Sequence, residues 1–173
     1  VKPELNTRQL MTSDADEFSA LRRRVTEHNP VPMGLSLAEE LTRPLQGFRD
    51  QLGAPAPSAA FGVFVDGLLR ACSAVAWTSR FPSSMHKVTL WGTFVDPSHQ
   101  GQGFGRMAVE AALEHARSQD VHRVNLTVFL PNTAAIGLYQ SLGFEPYGLE
   151  PEAIRLDGTF YDGQHMSLLL SSN

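Results

Sequence analysis

The chain has 173 residues, 42% of them hydrophobic, with a net charge of −4 and a sequence pI near 5.8. That is ample length for one domain with a real core, and the mildly acidic balance offers no broad basic face for nucleic acid. The single Cys72 excludes an internal disulfide and no apolar run approaches the ~20 residues needed to span a bilayer, so a cytoplasmic protein without a membrane partner is the expectation.

The elements read in chain order as α/β. Residues 4–11 form a first strand. Ser13 and Asp14 are placed to cap a helix carried by Phe18, Leu21 and Val25. The run 28–34, with Pro30, Pro32 and Gly34, ends that helix, and Ser36 is placed to cap a second one towards Leu52, interrupted near Pro44. Residues 53–58 make a linker-like loop. Segments 60–65 and 68–78 form a hairpin around Asp66-Gly67, a strong turn pair. Cys72 sits among Ala71, Ala74 and Val75, which favours a buried thiol over a nucleophile.

A fourth strand, 88–95, stops at Asp96-Pro97. Beyond the loop that follows, Arg106, Glu110, Glu114 and Arg117 trace a polar stripe on an otherwise apolar helix, so that helix lies against a sheet. In 123–130, Val124, Leu126 and Val128 alternate with Asn125, Thr127 and Phe129, as in a strand. Asn132 caps a short helix with Ala135, Leu138, Tyr139 and Leu142 on one face, closed by Gly143. Two last strands, 147–156 and 159–170, meet at Asp157-Gly158. With no repeat or composition break, one domain over residues 1–173 is expected.

The loop between the fourth strand and the helix carries the chemistry. Gly101, Gly103 and Gly105 alternate through five positions, which strips side chains away and lets N–H groups converge on one anion at a helix N-terminus. The ligand indicated is a phosphate or pyrophosphate. A Walker loop needs Gly-Lys-Ser/Thr where this chain has Gly105-Arg106-Met107, and a dinucleotide fingerprint needs a different glycine spacing. The pattern that fits is Q/R-x-x-G-x-G/A, met by Gln100, Gly103 and Gly105. It resembles the acyl-CoA pyrophosphate loop of the GNAT N-acetyltransferase superfamily. Residues 132–144 are similar to that family's second signature, N-x-x-A-x-x-L-Y-x-x-x-G-F, in the expected order. The resemblance spans most of the chain and is sharp between Leu90 and Phe144.

The resemblance implies a GNAT fold: a mixed, mostly antiparallel sheet of six to seven strands with flanking helices, whose fourth and fifth strands splay into a slot for acetyl-CoA. No metal is implied. The pyrophosphate would meet main-chain amides of Gln102, Gly103, Phe104, Gly105 and Arg106, with Gln100 and Gly101 as further cofactor-binding candidates of the loop, Gln100 alternatively a polar residue that only holds the turn. Pantetheine would pair with the main chain of Phe94 and Val95 like an added strand. Arg106 has two readings, a phosphate partner or a helix residue paired with Glu110. Asn132 either touches pantetheine or caps its helix. Tyr139 holds the family's general-acid position, and its ordinary pKa near 10 keeps it protonated at neutrality. Its other reading is a core tyrosine. The Val95 N–H is a candidate for the carbonyl oxygen of the reacting thioester.

The general base is not marked. Relatives often carry a glutamate on the fourth strand, and residues 87–93 contain no carboxylate. Glu27, His28, His86 and His165 are the alternatives. Trp77, Trp91, Phe61, Phe81 and Tyr161 either line an apolar acceptor pocket or belong to the core. The implied function is transfer of acetyl to a primary amine of a small molecule. A protein N-terminal or lysine acetyltransferase and a non-catalytic acyl-CoA sensor are the alternatives. The edge of the C-terminal hairpin offers a surface for a homodimer.

Overall fold

A computed structural model describes residues 2–170. Seven strands run β1 (Leu5–Gln9), β2 (Ala59–Val65), β3 (Leu68–Ala76), β4 (Lys87–Val95), β5 (Arg123–Phe129), β6 (Glu145–Leu156) and β7 (Thr159–Leu169). Five helices run α1 (Ala15–His28), α2 (Leu37–Thr42), α3 (Leu45–Leu52), α4 (Phe104–Ser118) and α5 (Thr133–Ser141). The strands make one sheet in the order β1-β2-β3-β4-β5-β7-β6, antiparallel except for the parallel β4–β5 pair. Among the described residues no helix is long and apolar enough to cross a membrane.

Local chemistry sets the connections. Asp66 and Gly67 both take positive φ (49° and 77°), as do Asp157 and Gly158 (48° and 81°), the geometry that lets a two-residue turn follow strand twist. Ser36 accepts from the Glu39 N–H at 3.2 Å while Glu39 bonds back to the Ser36 N–H at 2.7 Å, a reciprocal cap for α2. The 36–52 segment is two helices rather than one interrupted helix, because Pro44, with no N–H, stands at the junction and opens α3. The expected cap of α1 is not made by a side chain. Asp14 occupies the cap position, but its carboxylate is taken by Arg8, at 2.8 Å to each oxygen, and by the Met11 N–H at 2.7 Å.

Each face of the sheet buries its own apolar layer. On one face α4 and α5 lay Val109, Leu113 and Tyr139 against Val88, Val124 and Met166. On the other, α1 and α3 lay Phe18, Leu21 and Phe48 against Phe64, Leu69 and Phe94. Phe18 and Phe48 meet edge to face, with centroids 5.9 Å apart, and burying each ring stabilises by roughly 2 kcal/mol. Cys72 is buried in this second layer.

The sheet opens at its centre. β4 and β5 pair only at Lys87↔Arg123, Val88↔Val124 and Thr89↔Asn125. Past that point an irregularity in the β3–β4 register between Cys72 and Ala74, with Gly92 at φ 61°, redirects β4 away from β5. The remainder of both strands diverges around a slot.

Candidate active site

The slot has a volume of about 730 Å³, within the range of small-molecule and cofactor sites. Its walls are Thr93, Phe94 and Val95 of β4, the glycine loop, and the first turns of α5. His28, Asn29, Pro32 and Met33, from the end of α1 and the segment after it, complete the wall opposite α5. Asp96 holds its N–H to the Arg70 carbonyl of β3 at 2.7 Å. Strand N–H groups alternate in direction, so the Val95 N–H faces away from β3 and into the slot.

The glycine loop has the backbone geometry of an anion cradle. Gly101 and Gly103 take φ of 74° and 83°, and a Cβ at either would meet nothing within 4 Å, so backbone conformation rather than crowding demands glycine there. Gly103 is the cap residue of the 15-residue α4 and offers no side chain, so the first-turn N–H groups point outward uncapped. Such amides satisfy a phosphate with help from the helix dipole. Gly105 has a steric role: a Cβ there would lie 3.2 Å from Val95 Cγ2, so its absence brings α4 close to β4. These residues fit the pyrophosphate of acetyl-CoA.

Asp96, which sequence reasoning passed over, braces the cradle. Its carboxylate accepts from the Ser98 N–H at 3.0 Å, the Ser98 hydroxyl at 2.7 Å, and Arg24 and Arg70 at 3.0 Å each. Burial alone would raise its pKa, but the Ser98 and arginine bonds outweigh burial and hold it far below the ordinary carboxylate range.

The remaining candidates divide. Gln100, Gly101, Gly103, Gly105, Arg106 and Asn132 line the slot, whereas the side chains of Gln102 and Phe104 do not. Phe104 turns towards His99, ring centroids 6.1 Å apart, and packs on Val63, Ala71 and Ala108. Arg106 combines both readings: it faces the slot while bonding Glu110 at 2.9 Å and Ser141 at 2.5 Å. Asn132 accepts from the Ala135 N–H at 3.1 Å, a cap that leaves its amide at the slot wall. Tyr139 is only 7% exposed and packs against Phe144. Burial pushes its phenol above the ordinary value, offset in part by the neighbouring Thr93 side chain. Thr93 lines the slot and shares a 2.8 Å hydrogen bond with Ser73, so Tyr139 lies directly behind that wall.

The possible bases are dispersed. His86 lies at the closed end of β4, its carbonyl accepting from the N–H groups of His122 and Arg123, roughly 20 Å of strand away from Thr93. Glu27 borders a shallow hollow with Arg24, Arg70 and Asp96, outside the slot. His28 lines the slot itself. His165 stands on β7 beside β5 and bonds Thr127. The aromatic residues form no common acceptor pocket. Trp77 and Phe61 pack on the α4 and α5 side, Trp91 on the α1 side, and Phe81 is 74% exposed.

A central parallel pair that splays beside a glycine loop at a helix N-terminus, backed by a buried tyrosine, is the arrangement expected of acyl-CoA-dependent acyltransferases. A profile of the Acetyltransferase (GNAT) family matches residues 24–144, well over half of the chain. The chain belongs to the GNAT acetyltransferase family. It is 37% identical over 82 residues to mycothiol acetyltransferase of Gordonia bronchialis, covering 47% of this chain and 26% of that protein. It spans about a quarter or less of the length of the mycothiol acetyltransferases it matches, from 26% down to 17%. It is 32% identical over 115 residues to the N-alpha-acetyltransferase RimI of Mycobacterium tuberculosis, covering 66% of this chain and 69% of that one. In fold it matches yncA of Salmonella typhimurium, whose structure holds its cofactor acetyl-CoA, with a TM-score of 0.77 at 20% identity over 98% of this chain and 95% of that one.

Proposed function

We propose that this domain transfers the acetyl group of acetyl-CoA directly to a primary amine of a small molecule. The observation that carries this reading is the pinning of the segment after α1 across the mouth of the splay. Gly34 (φ 73°) packs so closely on β5 that a Cβ there would lie 2.5 Å from the Phe129 ring. That contact walls the acceptor side near the end of β5 and favours a compact acceptor over an extended polypeptide. The mycothiol acetyltransferase relative is in keeping with a small acceptor. The longer match to RimI favours a protein N-terminus as the second reading.

In the chemical step the amine nitrogen attacks the thioester carbonyl carbon, a C–N bond forms and the C–S bond breaks. The Val95 N–H is positioned to stabilise the charge on the carbonyl oxygen. The departing thiolate takes a proton from the Tyr139 hydroxyl. The amine loses one proton before attack and one after it.

The test is thiol release from acetyl-CoA over a panel of a diamine, an amino-acid amide and a short peptide with a free N-terminus, with CoA binding followed by calorimetry on the same sample. Binding with turnover of the small amines is the expected result. Turnover confined to the peptide overturns the small-molecule reading, and CoA binding without turnover of any amine favours the non-catalytic sensor.

A further inference from the structure

We propose that Thr127, His165 and Glu150 form a proton relay that deprotonates the acceptor amine; this rests on the direct-transfer reading above and applies to either class of amine. Thr127 lies on β5 two residues past Asn125, the last residue paired with β4, so it flanks the point where the splay begins. Alternation along β5 places Asn125, Thr127 and Phe129 on one face. Phe129 meets the segment after α1, so this is the face towards α1, opposite the α5 face that holds Tyr139. An amine approaching from this side attacks the thioester across the slot from the group that protonates the leaving sulfur.

The three side chains are in sequence a hydroxyl, an imidazole and a carboxylate. Thr127 Oγ1 lies 2.8 Å from His165 Nδ1, and His165 Nε2 lies 3.3 Å from Glu150 Oε2. Register builds this contact, since Thr127↔His165 is a paired position of β5 and β7, while Gly148 and Leu149 of β6 pair with His165 and Gln164. Tyr147 stacks on the imidazole at 5.8 Å, which fixes its plane. Thr127 is exposed and lies outside the residues that line the slot, so in this proposal the acceptor amine reaches its hydroxyl from the open, α1-facing side of β5. Glu150 is a charge partner of His165 Nε2 rather than its hydrogen-bond acceptor, and in the tautomer with the proton on Nε2, Nδ1 accepts from the Thr127 hydroxyl.

Proton flow balances without a covalent intermediate. The ammonium passes a proton to Thr127 Oγ1 as the hydroxyl passes its own to His165 Nδ1. The imidazolium is held by Glu150 and returns its proton to solvent. Thr127 touches the acceptor, His165 receives the proton through it, and Glu150 is a positioning residue. The other charged groups that register puts on this face near the histidine are Glu145 of β6, paired with Ser167, and Arg123 of β5, bonded to Ser167 at 2.8 Å; Ser167 in turn donates to Asn125 at 2.7 Å. The slot-lining His28 has no hydrogen-bond partner among the described residues to set its tautomer, which is why the relay is assigned to His165.

The experiment is the pH profile of kcat/KM for the best amine of the panel in wild type and in Thr127→Val, Thr127→Ser, His165→Gln, Glu150→Gln and His28→Gln, with CoA affinity measured on each to certify folding. His165→Gln is expected to lose the acidic limb and roughly 10²-fold in rate. Thr127→Val is expected to lose a similar factor, Thr127→Ser to restore it, and Glu150→Gln to move the limb to lower pH. A limb that survives His165→Gln, or disappears in His28→Gln instead, overturns the relay. Turnover of the peptide alone refutes the small-molecule reading while leaving the relay tested on that peptide. Where no amine turns over, the tautomer of the neutral His165 imidazole is read by nitrogen NMR in the full chain: a proton on Nε2, with Nδ1 free to accept from Thr127, supports the relay, and a proton on Nδ1 overturns it.

Discussion

Arg22 and Glu40 meet with both side chains out of water: Nε to Oε1 is 2.8 Å, and the side chains are 5% and 0% exposed. A second bond, Nη2 to Oε2 at 3.1 Å, makes the pair two-pronged. The Arg22 guanidinium also stands over the rings of Phe18 and Phe94, 5.9 and 5.6 Å from their centroids, so it joins α1, α2 and β4 at once. The segment of 29–36 that walls the slot is held between the two helices this pair unites.

Removing one partner leaves the other charged and buried. Glu40→Ala is expected to lower stability by about 3–5 kcal/mol, whereas the double change Arg22→Met with Glu40→Leu recovers most of it. Urea denaturation of the three variants checks this. A loss under 1 kcal/mol in the single variant would mean water enters to solvate Arg22.

Asp96 makes stability depend on pH with a definite sign. Its folded pKa is depressed, so its contribution is complete above the unfolded value of about 3.9 and is lost as pH falls towards the folded one. Asp96→Asn is expected to cost about 2 kcal/mol at pH 7, and the gap between wild type and variant narrows below about pH 4. It also raises KM for acetyl-CoA more than it lowers kcat, since Asp96 supports the cradle and not the reacting atoms. Urea midpoints at pH 7 and pH 3, with steady-state kinetics at pH 7, are the measurements. A gap independent of pH would show that the carboxylate charge is not what Arg24 and Arg70 respond to.

Gly103 tests the cradle. At φ 83° any side chain is strained, and a branched one also projects where a phosphate must approach the α4 amides. Gly103→Val is expected to weaken CoA binding at least 10-fold by calorimetry while thermal unfolding shifts by only a few degrees. Unchanged affinity would place the pyrophosphate elsewhere.

Features set by neighbours in sequence could be read before the fold was known. The turn pairs Asp66-Gly67 and Asp157-Gly158 take the positive φ their types demand, and Asn132 and Ser36 cap as their positions suggest. Gly101 and Gly103 announce the cradle because few other residues adopt their conformation. Features set by register could not be read. Thr127 and His165 are 38 positions apart and meet only because β7 inserts between β5 and β6. Arg22 and Glu40, 18 apart, face each other because the chain turns back between α1 and α2. Asp14 shows how tertiary context overrides a local rule, since Arg8 of β1 takes the carboxylate that would cap α1. The aromatic residues are similarly ambiguous in one dimension, as strand alternation sends Phe61 and Trp91 to opposite faces.

Tyr139 separates chemistry from packing. Its ring lies 5.6 Å from Phe144 and is retained in Tyr139→Phe, so the fold should tolerate the change. Only the hydroxyl behind Thr93 is lost. Because burial raises the phenol pKa above its ordinary 10, the hydroxyl stays protonated throughout a pH 6–9 assay, and no basic limb in that window arises from it. Transfer of its proton to the leaving thiolate is then favourable only as the C–S bond breaks. Tyr139→Phe is expected to lower kcat roughly 10²-fold with CoA affinity and thermal stability nearly unchanged. Single-turnover kinetics with a pre-formed acetyl-CoA complex isolates that step from binding. Equal single-turnover rates in variant and wild type would reduce Tyr139 to a core residue and leave the thiolate to be protonated by solvent.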